Sequence, residues 1–190
     1  SGAYATDAGQ VKIFAYVGSA WTQMGPSMTA GRSDDRLGYS VSMNGAGDIV
    51  AMGAPLRDET FLPFVNGAAY LAYVRIYAYS GSTWNQLGAD VKHELDNGQN
   101  KNFALSVSLN TAGDRVLVGA PKYNSAKGQV TVFSLAQTSA SNSGSCAAGG
   151  NDLAEATTSV ALVDVDGDGN TDAVFGNADG TSTTYYNDQG

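Results

Sequence analysis

The sequence contains a single cysteine and a single histidine, and this scarcity limits its chemistry. Cys146 has no second cysteine to pair with, so no internal disulfide is possible, and we interpret it as a free thiol or a link to other sequence rather than a nucleophile. A Ser-His-Asp or Cys-His site would have to use His93, which lies in a polar segment and is expected to be an exposed loop residue. Because no acid–base pair stands out either, we expect no enzymatic activity.

Positive charge and long apolar runs are also scarce. Lysine and arginine total 10 against 18 aspartates and glutamates, which gives a formal net charge of −8. Without a basic surface to neutralise phosphates, we expect no nucleic-acid binding. No apolar run approaches the roughly 18 residues of a membrane span, so none is expected. An acidic surface suits cation binding and an extracellular setting.

Charged residues make up only 15% of the 190 residues, whereas glycine occurs 24 times and tyrosine 10 times. This composition favours many short strands joined by tight turns over long helices. Internal repeats support that interpretation. The segment 11-VKIFAYVGSAWTQMG-25 matches 74-VRIYAYSGSTWNQLG-88 at nine of fifteen positions, and 37-LGYSVSMNGAGDIVAMGAP-55 matches 103-FALSVSLNTAGDRVLVGAP-121 at eleven of nineteen.

The repeat unit is about 60 residues long, since the two matches are offset by 63 and 66 residues. Apolar and polar residues alternate within it, and Asn-Gly, Gly-Ser and Ala-Gly-Asp turns separate the alternating stretches, which predicts about four short strands per unit. We therefore predict an all-β fold of propeller blades, each with about four antiparallel strands, roughly three blades being present as an incomplete propeller or a fragment. The predicted divisions are blade 1 at 1–62, blade 2 at 63–121, blade 3 at 122–176 with a flexible insert at 137–151, and the start of a further blade at 177–190.

The most distinctive short stretch is 164-DVDGDGNTD-172. Its aspartates stand at positions 1, 3, 5 and 9 of a loop that has Gly169 at the sharp-turn position and Asn170 at the carbonyl position, which is the spacing that wraps Ca²⁺ in an EF-hand. The flanks are predicted strands, and Phe175 replaces the bidentate glutamate of an EF-hand. We predict a structural calcium site rather than an unoccupied acidic turn. Its predicted ligands are Asp164, Asp166, Asp168, Asn170 and Asp172.

Comparison between units supports an ion at this loop. Ser40 to Gly53 and Ser106 to Gly119 each span 13 steps, whereas the corresponding Ser159 and Gly176 are 17 steps apart. The short versions keep one aspartate each and are expected to be hairpin turns. In the long version, clustered carboxylates without a cation would repel one another.

Other recurring residues have both structural and functional interpretations. Trp21 and Trp84 occupy equivalent strands and are expected to pack between blades, the alternative being a platform that stacks sugars. Asp34, Asp35 and Arg36 could contact a partner, although a solvated turn is the simpler interpretation.

The units resemble FG-GAP repeats, the blades of integrin-α-type β-propellers, through 38-GYSVS-42, 105-LSVSL-109 and the two Gly-Ala-Pro segments. The last unit resembles the related VCBS type through 160-VALVDVDGDGNTDAVFGNADG-180. Leu37-Gly38 and Phe103-Ala104 depart from the Phe-Gly of that family. The resemblance implies an extracellular or cell-surface adhesion module that binds Ca²⁺ and a protein or glycan. Its incomplete ring is either a piece of a longer protein or one that other chains complete. A subunit of a surface filament and a lectin-like propeller are the alternatives.

Overall fold

The computed structural model describes residues 7–55, 72–92, 102–122, 128–135, 146–149, 157–163, 172–177 and 182–185. In this part of the chain every regular element is a β-strand, so the fold is all-β as predicted. It contains no helix long and apolar enough to cross a membrane. The strands are β1 (Gln10–Val11), β2 (Phe14–Val17), β3 (Ala20–Gln23), β4 (Met28–Thr29), β5 (Ser40–Met43), β6 (Ile49–Ala54), β7 (Tyr73–Tyr79), β8 (Trp84–Gln86), β9 (Val91–Lys92), β10 (Ser106–Leu109), β11 (Arg115–Ala120), β12 (Gln129–Leu135), β13 (Cys146–Gly149), β14 (Thr157–Val163), β15 (Asp172–Asn177) and β16 (Ser182–Tyr185).

The strands form several antiparallel sheets, and in the three larger ones most strands pair with their neighbours in sequence. One sheet has the order β5-β6-β7-β8, with β9 also paired to β7. The next has the order β10-β11-β12-β13, and the third has β14-β15-β16. Before them, β1 pairs with β4 and β2 pairs with β3.

The sequence repeats occupy the same register in each sheet. Tyr16 pairs with Trp21 on β2 and β3, and the equivalent Tyr79 pairs with Trp84 on β7 and β8. The serine and glycine that mark the first two strands of a sheet are register partners in all three cases. These pairs are Ser40 with Gly53, Ser106 with Gly119, and Ser159 with Gly176. The alignment of the diverged third copy with the first two is therefore confirmed.

Each of the three larger sheets begins at the strand that carries the repeated serine. A repeat period alone does not fix where a sheet begins, so the predicted blade limits stay a prediction. By sequence, β2 and β3 correspond to the third and fourth strands of such a sheet. Residues 146–149 of the predicted insert form β13, because pairing with β12 satisfies their backbone groups although Ala and Gly have low strand propensity. The rest of that insert lies outside the described residues.

Both faces of the second strand of a sheet are covered. Every residue of β6 is buried. Ile49 and Ala51 point into a cluster shared with β10 and β11, whereas Val50 and Met52 point into a cluster shared with β1 and β4. A strand buried on both faces needs a continuous apolar run instead of alternation, which explains the sequence of β6 and of the equivalent β11.

The sheets stack in chain order. The first strand of the middle sheet, β10, contacts β5 and β6 on one side and β14 on the other. Two apolar clusters lie at these junctions. One joins residues from β6 and β7 to residues from β10 to β12, and the other joins Leu117 and Val130 to Val160 of β14. Each sheet is thus stabilised mainly by burying its faces against the neighbouring sheets.

The first copy of the Ser-x-Ser motif, Ser40 and Ser42, connects its sheet to the next. The Ser40 hydroxyl donates to the carbonyl oxygen of Ala104 at 3.0 Å. The backbone N–H of Leu109 donates to the Ser42 hydroxyl at 2.9 Å. At the same junction, a Cβ atom on Gly53 would collide with the Ser40 hydroxyl and the Ala104 carbonyl oxygen. Glycine is required there because the backbone of the next unit approaches so closely.

Replacing Gly53 with alanine should therefore weaken the stack. We expect Gly53→Ala to lower the free energy of unfolding by about 1–3 kcal/mol, because the added methyl group must displace backbone of the neighbouring unit. Urea unfolding measures the change. Gly31→Ala is the matched control, since a Cβ on Gly31 would meet nothing within 4 Å and should change stability by less than about 0.5 kcal/mol. Equal effects of the two substitutions would contradict the packing argument.

Candidate functional site

The hairpin between β5 and β6 is closed by an asparagine. The Asn44 side-chain oxygen accepts hydrogen bonds from the backbone N–H groups of Asp48 and Ile49 at 3.1 and 2.9 Å. The Asn44 side-chain nitrogen donates to the Asp48 carboxylate at 2.8 Å. One amide thus satisfies the loop backbone and engages its only carboxylate, so this loop of residues 45–48 needs no ion.

The hairpin between β10 and β11 repeats this arrangement. The Asn110 side-chain oxygen accepts from the N–H groups of Gly113, Asp114 and Arg115 at 3.1–3.2 Å. The Asn110 side-chain nitrogen donates to the Asp114 carboxylate at 2.7 Å. We call this arrangement the Asn–Asp clamp. Both short loops are hairpin turns, as the sequence predicted, and the clamp is a feature that sequence reasoning missed although Asn-x-x-x-Asp occurs in both copies.

The third hairpin lacks the residues of the clamp. Val163 at the end of β14 pairs with Asp172 at the start of β15, so the predicted flanking strands are confirmed. By register, Val163 stands where the other hairpins have the clamp asparagine, and Thr171 stands where they have the clamp aspartate. The connection 164–171 has eight residues against four in 45–48 and 111–114.

The predicted calcium ligands fall almost wholly in this connection. Asp164, Asp166, Asp168 and Asn170 lie outside the described residues, and only the backbone of Asp172 is described. Elsewhere in the described chain, no group of three or more His, Cys, Asp and Glu side chains could hold a metal ion. At this site the structure describes the paired strand ends, Val163 and Asp172.

A second polar group lies on β7 and the segments beside it. Arg75 makes two hydrogen bonds with the Asp90 carboxylate, at 2.7 and 2.9 Å, and its guanidinium lies 4.8 Å from the centre of the Tyr73 ring. The Tyr73 hydroxyl donates to the buried Asp35 carboxylate at 3.0 Å. Asp35 is also paired with Arg32 at 3.4 Å. Asp35 is therefore a structural residue of this group and not part of a solvated turn.

Burial and neighbouring charges shift the pKa values of Tyr73 and Asp90 in this group. Burial, reinforced by the Asp35 charge, raises the pKa of Tyr73 well above its usual value, so the phenol stays protonated near neutral pH. Burial alone would raise the pKa of Asp90, but the hydrogen bonds and charge of Arg75 outweigh it and hold that pKa below its usual value. Neither the Tyr73 phenol nor the Asp90 carboxylate is thus poised to exchange a proton near pH 7.

The two repeated tryptophans differ in environment. Trp84 is 5% exposed, lies 5.0 Å from the Tyr79 ring centre and donates from its indole N–H to the Met24 carbonyl oxygen at 2.7 Å. Its predicted packing role is confirmed. Trp21 makes the equivalent contact with Tyr16 at 5.3 Å but is 70% exposed, because it lies on the face of β2 and β3 that no described sheet covers.

Among the remaining candidates, the structure describes Asp34, Arg36 and the backbone of Cys146. Asp34 is exposed in a turn, whereas Arg36 is partly buried. The backbone of Cys146 pairs with Leu135 at the edge of a sheet. His93 lies outside the described residues.

Comparison with known proteins assigns the chain to no family. No protein-family model matches the sequence. A search of curated proteins likewise finds no match.

The clamp should contribute measurably to stability. We expect Asn110→Ala to lower the free energy of unfolding by about 1–3 kcal/mol, because three backbone N–H groups lose the acceptor that the buried Asn110 side chain provides. Chemical denaturation measures this loss. The control is Asn85→Ala, which removes one exposed hydrogen bond to Ser80 and should cost less than about 0.5 kcal/mol. A loss no greater than that of the control would refute the clamp.

The Arg75–Asp90 pair predicts a pH dependence. Because the pKa of Asp90 is lowered in the folded state, its stabilising effect is present above the unfolded value of about 3.9 and is lost as pH falls through the folded pKa. We expect Asp90→Asn to be less stable than wild type at pH 7 by about 1–3 kcal/mol and the difference to vanish near pH 2. Urea unfolding from pH 7 to 2 tests this, with exposed Asp34→Asn as the control. A difference that is constant with pH would exclude an electrostatic role.

Proposed function

We propose that the chain is a non-enzymatic, calcium-binding module of β-propeller type that acts in adhesion or protein interaction outside the cell. The observation that carries the calcium part is the third hairpin. Its strand ends are paired as in the other two, yet it lacks the Asn–Asp clamp and has a connection twice as long with four acidic or amide side chains in alternate positions.

A cation accounts for these changes together. A loop without the clamp needs another partner for its backbone and side-chain oxygens. Carboxylates at this spacing supply the hard oxygen ligands that Ca²⁺ prefers, and the ion removes their mutual repulsion. Its role would be to close the hairpin, the task that an asparagine performs in the two earlier copies. Mg²⁺ fits less well because it demands a stricter octahedral shell.

The stacking of the sheets supports the propeller part. The first strands β5, β10 and β14 lie next to one another, and each larger sheet continues outward from its first strand. That is the arrangement of blades around an axis. A partner protein or glycan would be bound by surface loops, and an extracellular location would supply the calcium.

A second candidate is a structural subunit of a cell-surface filament or larger assembly. It is favoured by the apolar side chains left exposed on one side of β5 and on β2 and β3. A lectin-like role would use the exposed Tyr16 and Trp21 as a sugar platform. In the twin pair Trp84 is buried and Tyr79 is partly buried, which favours sheet packing for these residues instead.

Calcium titration by calorimetry, with thermal melting alongside, tests the proposal. We expect about one ion per chain and a rise in Tm of about 5–10 °C at a calcium concentration near 100 times Kd. The variant Asp166→Ala/Asp168→Ala should lose both effects, because it removes two central ligands.

The control is Asp34→Asn, which removes an exposed carboxylate away from the loop and should bind as wild type does. If the wild type binds no calcium, or if the double variant binds it equally well, the calcium part of the proposal is contradicted.

A further inference from the structure

The hairpin between β5 and β6 contains an asparagine followed by a glycine, and packing accounts for both residues. Asn44 is 7% exposed and closes the hairpin through the Asn–Asp clamp. Gly45 lies against the hairpin between β10 and β11, where a Cβ atom would collide with the Thr111 side chain. The clamp therefore requires asparagine, and the close approach of the next sheet favours glycine.

An asparagine followed by glycine is chemically reactive, because no side chain on glycine hinders its backbone nitrogen. This nitrogen loses its proton to hydroxide and bonds to the asparagine Cγ. The Cγ–Nδ2 bond then breaks, and the side-chain nitrogen leaves as ammonia with a proton from water. Water opens the resulting succinimide ring to aspartate or isoaspartate. The net reaction consumes a water molecule and exchanges an amide for a carboxylate.

Contact with the next sheet holds the attacking nitrogen of this pair. The Gly45 N–H donates to the Thr111 carbonyl oxygen at 3.0 Å. Removing this proton would break the hydrogen bond and leave a negative nitrogen facing a carbonyl oxygen. The Gly45 nitrogen therefore stays protonated while the two hairpins remain in contact.

The clamp holds the group that would be attacked. The Asn44 side-chain oxygen accepts from the Asp48 and Ile49 N–H groups. The Asn44 side-chain nitrogen donates to the Asp48 carboxylate. These bonds direct the amide toward the end of the loop, whereas the succinimide requires it to approach the Gly45 nitrogen. The two N–H donors also polarise the amide carbon, as an oxyanion hole does, so protection comes from position and not from a poor electrophile.

We propose that Asn44-Gly45 is a self-modification site, at which the chain converts asparagine to aspartate and isoaspartate when the contact between the two hairpins opens. In the closed state the Gly45–Thr111 bond and the clamp prevent the reaction. The rate of conversion therefore follows the population of the locally opened state, and that population is small in a packed hairpin.

The conversion is one-way because its products cannot restore the clamp. An aspartate at position 44 has a carboxylate oxygen where the Asn44 nitrogen now lies 2.8 Å from the Asp48 carboxylate. Two like charges then replace a hydrogen bond. Isoaspartate adds a backbone methylene to a hairpin whose strands pair at Met43 and Val50. The extent of conversion thus increases with the time that the two hairpins spend apart.

The hairpin between β10 and β11 has the same clamp without the reactive pair. Asn110 makes the equivalent bonds to Gly113, Asp114 and Arg115. It is followed by Thr111, whose branched side chain hinders attack by its nitrogen. Asn110 is therefore an internal reference that undergoes the same incubation and should not react.

The test follows conversion at Asn44 by peptide mapping with mass spectrometry. The mapping separates Asn44 from Asn66 and Asn97, which are also followed by glycine. The full chain and a synthetic peptide of residues 42–49 are incubated at the same temperature and the same mildly alkaline pH. We expect conversion in the folded chain to be at least about tenfold slower than in the peptide, because only the opened state reacts.

Two variants separate local protection from overall stability. Asp48→Ala removes the acceptor of the Asn44 side-chain nitrogen and should speed conversion about threefold or more, because the amide is then less firmly held. Asp90→Asn weakens the pair with Arg75, outside the hairpin, and should leave the rate at Asn44 unchanged.

Urea unfolding tests the one-way step. Asn44→Asp should lower the urea midpoint relative to wild type, because two carboxylates then meet in the hairpin. The double variant Asn44→Asp/Asp48→Asn should recover most of this loss, since an amide nitrogen again faces a carboxylate.

Three results would overturn the proposal. They are conversion at Asn44 as fast in the folded chain as in the peptide, equal rates in Asp48→Ala and Asp90→Asn, and a urea midpoint of Asn44→Asp equal to that of wild type. Circular dichroism shows that each variant is folded, and the comparison of chain with peptide needs no variant.

Discussion

The close contact between one sheet and the next is the constraint on which the rest of this structure depends. A two-stranded hairpin is marginal by itself, so these sheets depend on the apolar surface that they bury against one another. At the junction of β5, β6 and β10 this contact combines an apolar cluster with two serine-mediated hydrogen bonds and a glycine that lets the backbones approach. The same serine and glycine are paired in all three larger sheets. This paired serine and glycine are therefore structural features of the sheets before they are marks of any function.

Once the first two strands of a sheet are fixed in this way, the loop between them is the part of the unit that can vary. In two units that loop is closed by one asparagine, whose amide serves up to three backbone N–H groups and one carboxylate. In the third unit the strand ends remain paired while the clamp residues are replaced by Val163 and Thr171. A scaffold that holds the ends of a loop in place lets the length and residues of that loop change without disturbing the stack. The proposed calcium site would use this freedom to replace the clamp by an ion.

The sequence was sufficient to predict the all-β fold, the strand repeats and the correspondence of the serine and glycine positions among the three units, because period-two patterns indicate strands and internal repeats align equivalent residues. It did not reveal that Asp35 is buried and accepts a hydrogen bond from Tyr73. A charged residue in a turn-like segment looks solvated until its partners on distant strands are known. The strand at Cys146–Gly149 was hidden for a related reason, since its pairing comes from β12 and not from its own composition. The clamp asparagines were visible as a repeat, but their role needed the hydrogen bonds.

The most informative contrast in the molecule is between equivalent residues with opposite exposure. Trp84 is buried and Trp21 exposed, and Val107 is buried and Val41 exposed, although each pair occupies the same place in the repeat. Residue type therefore does not set burial here, because the sequence of each unit is suited to a neighbour on both sides. The first unit has side chains of the same kind, in the same register, as those that the second unit buries. In the first unit, however, they lie on a side where no described sheet covers them.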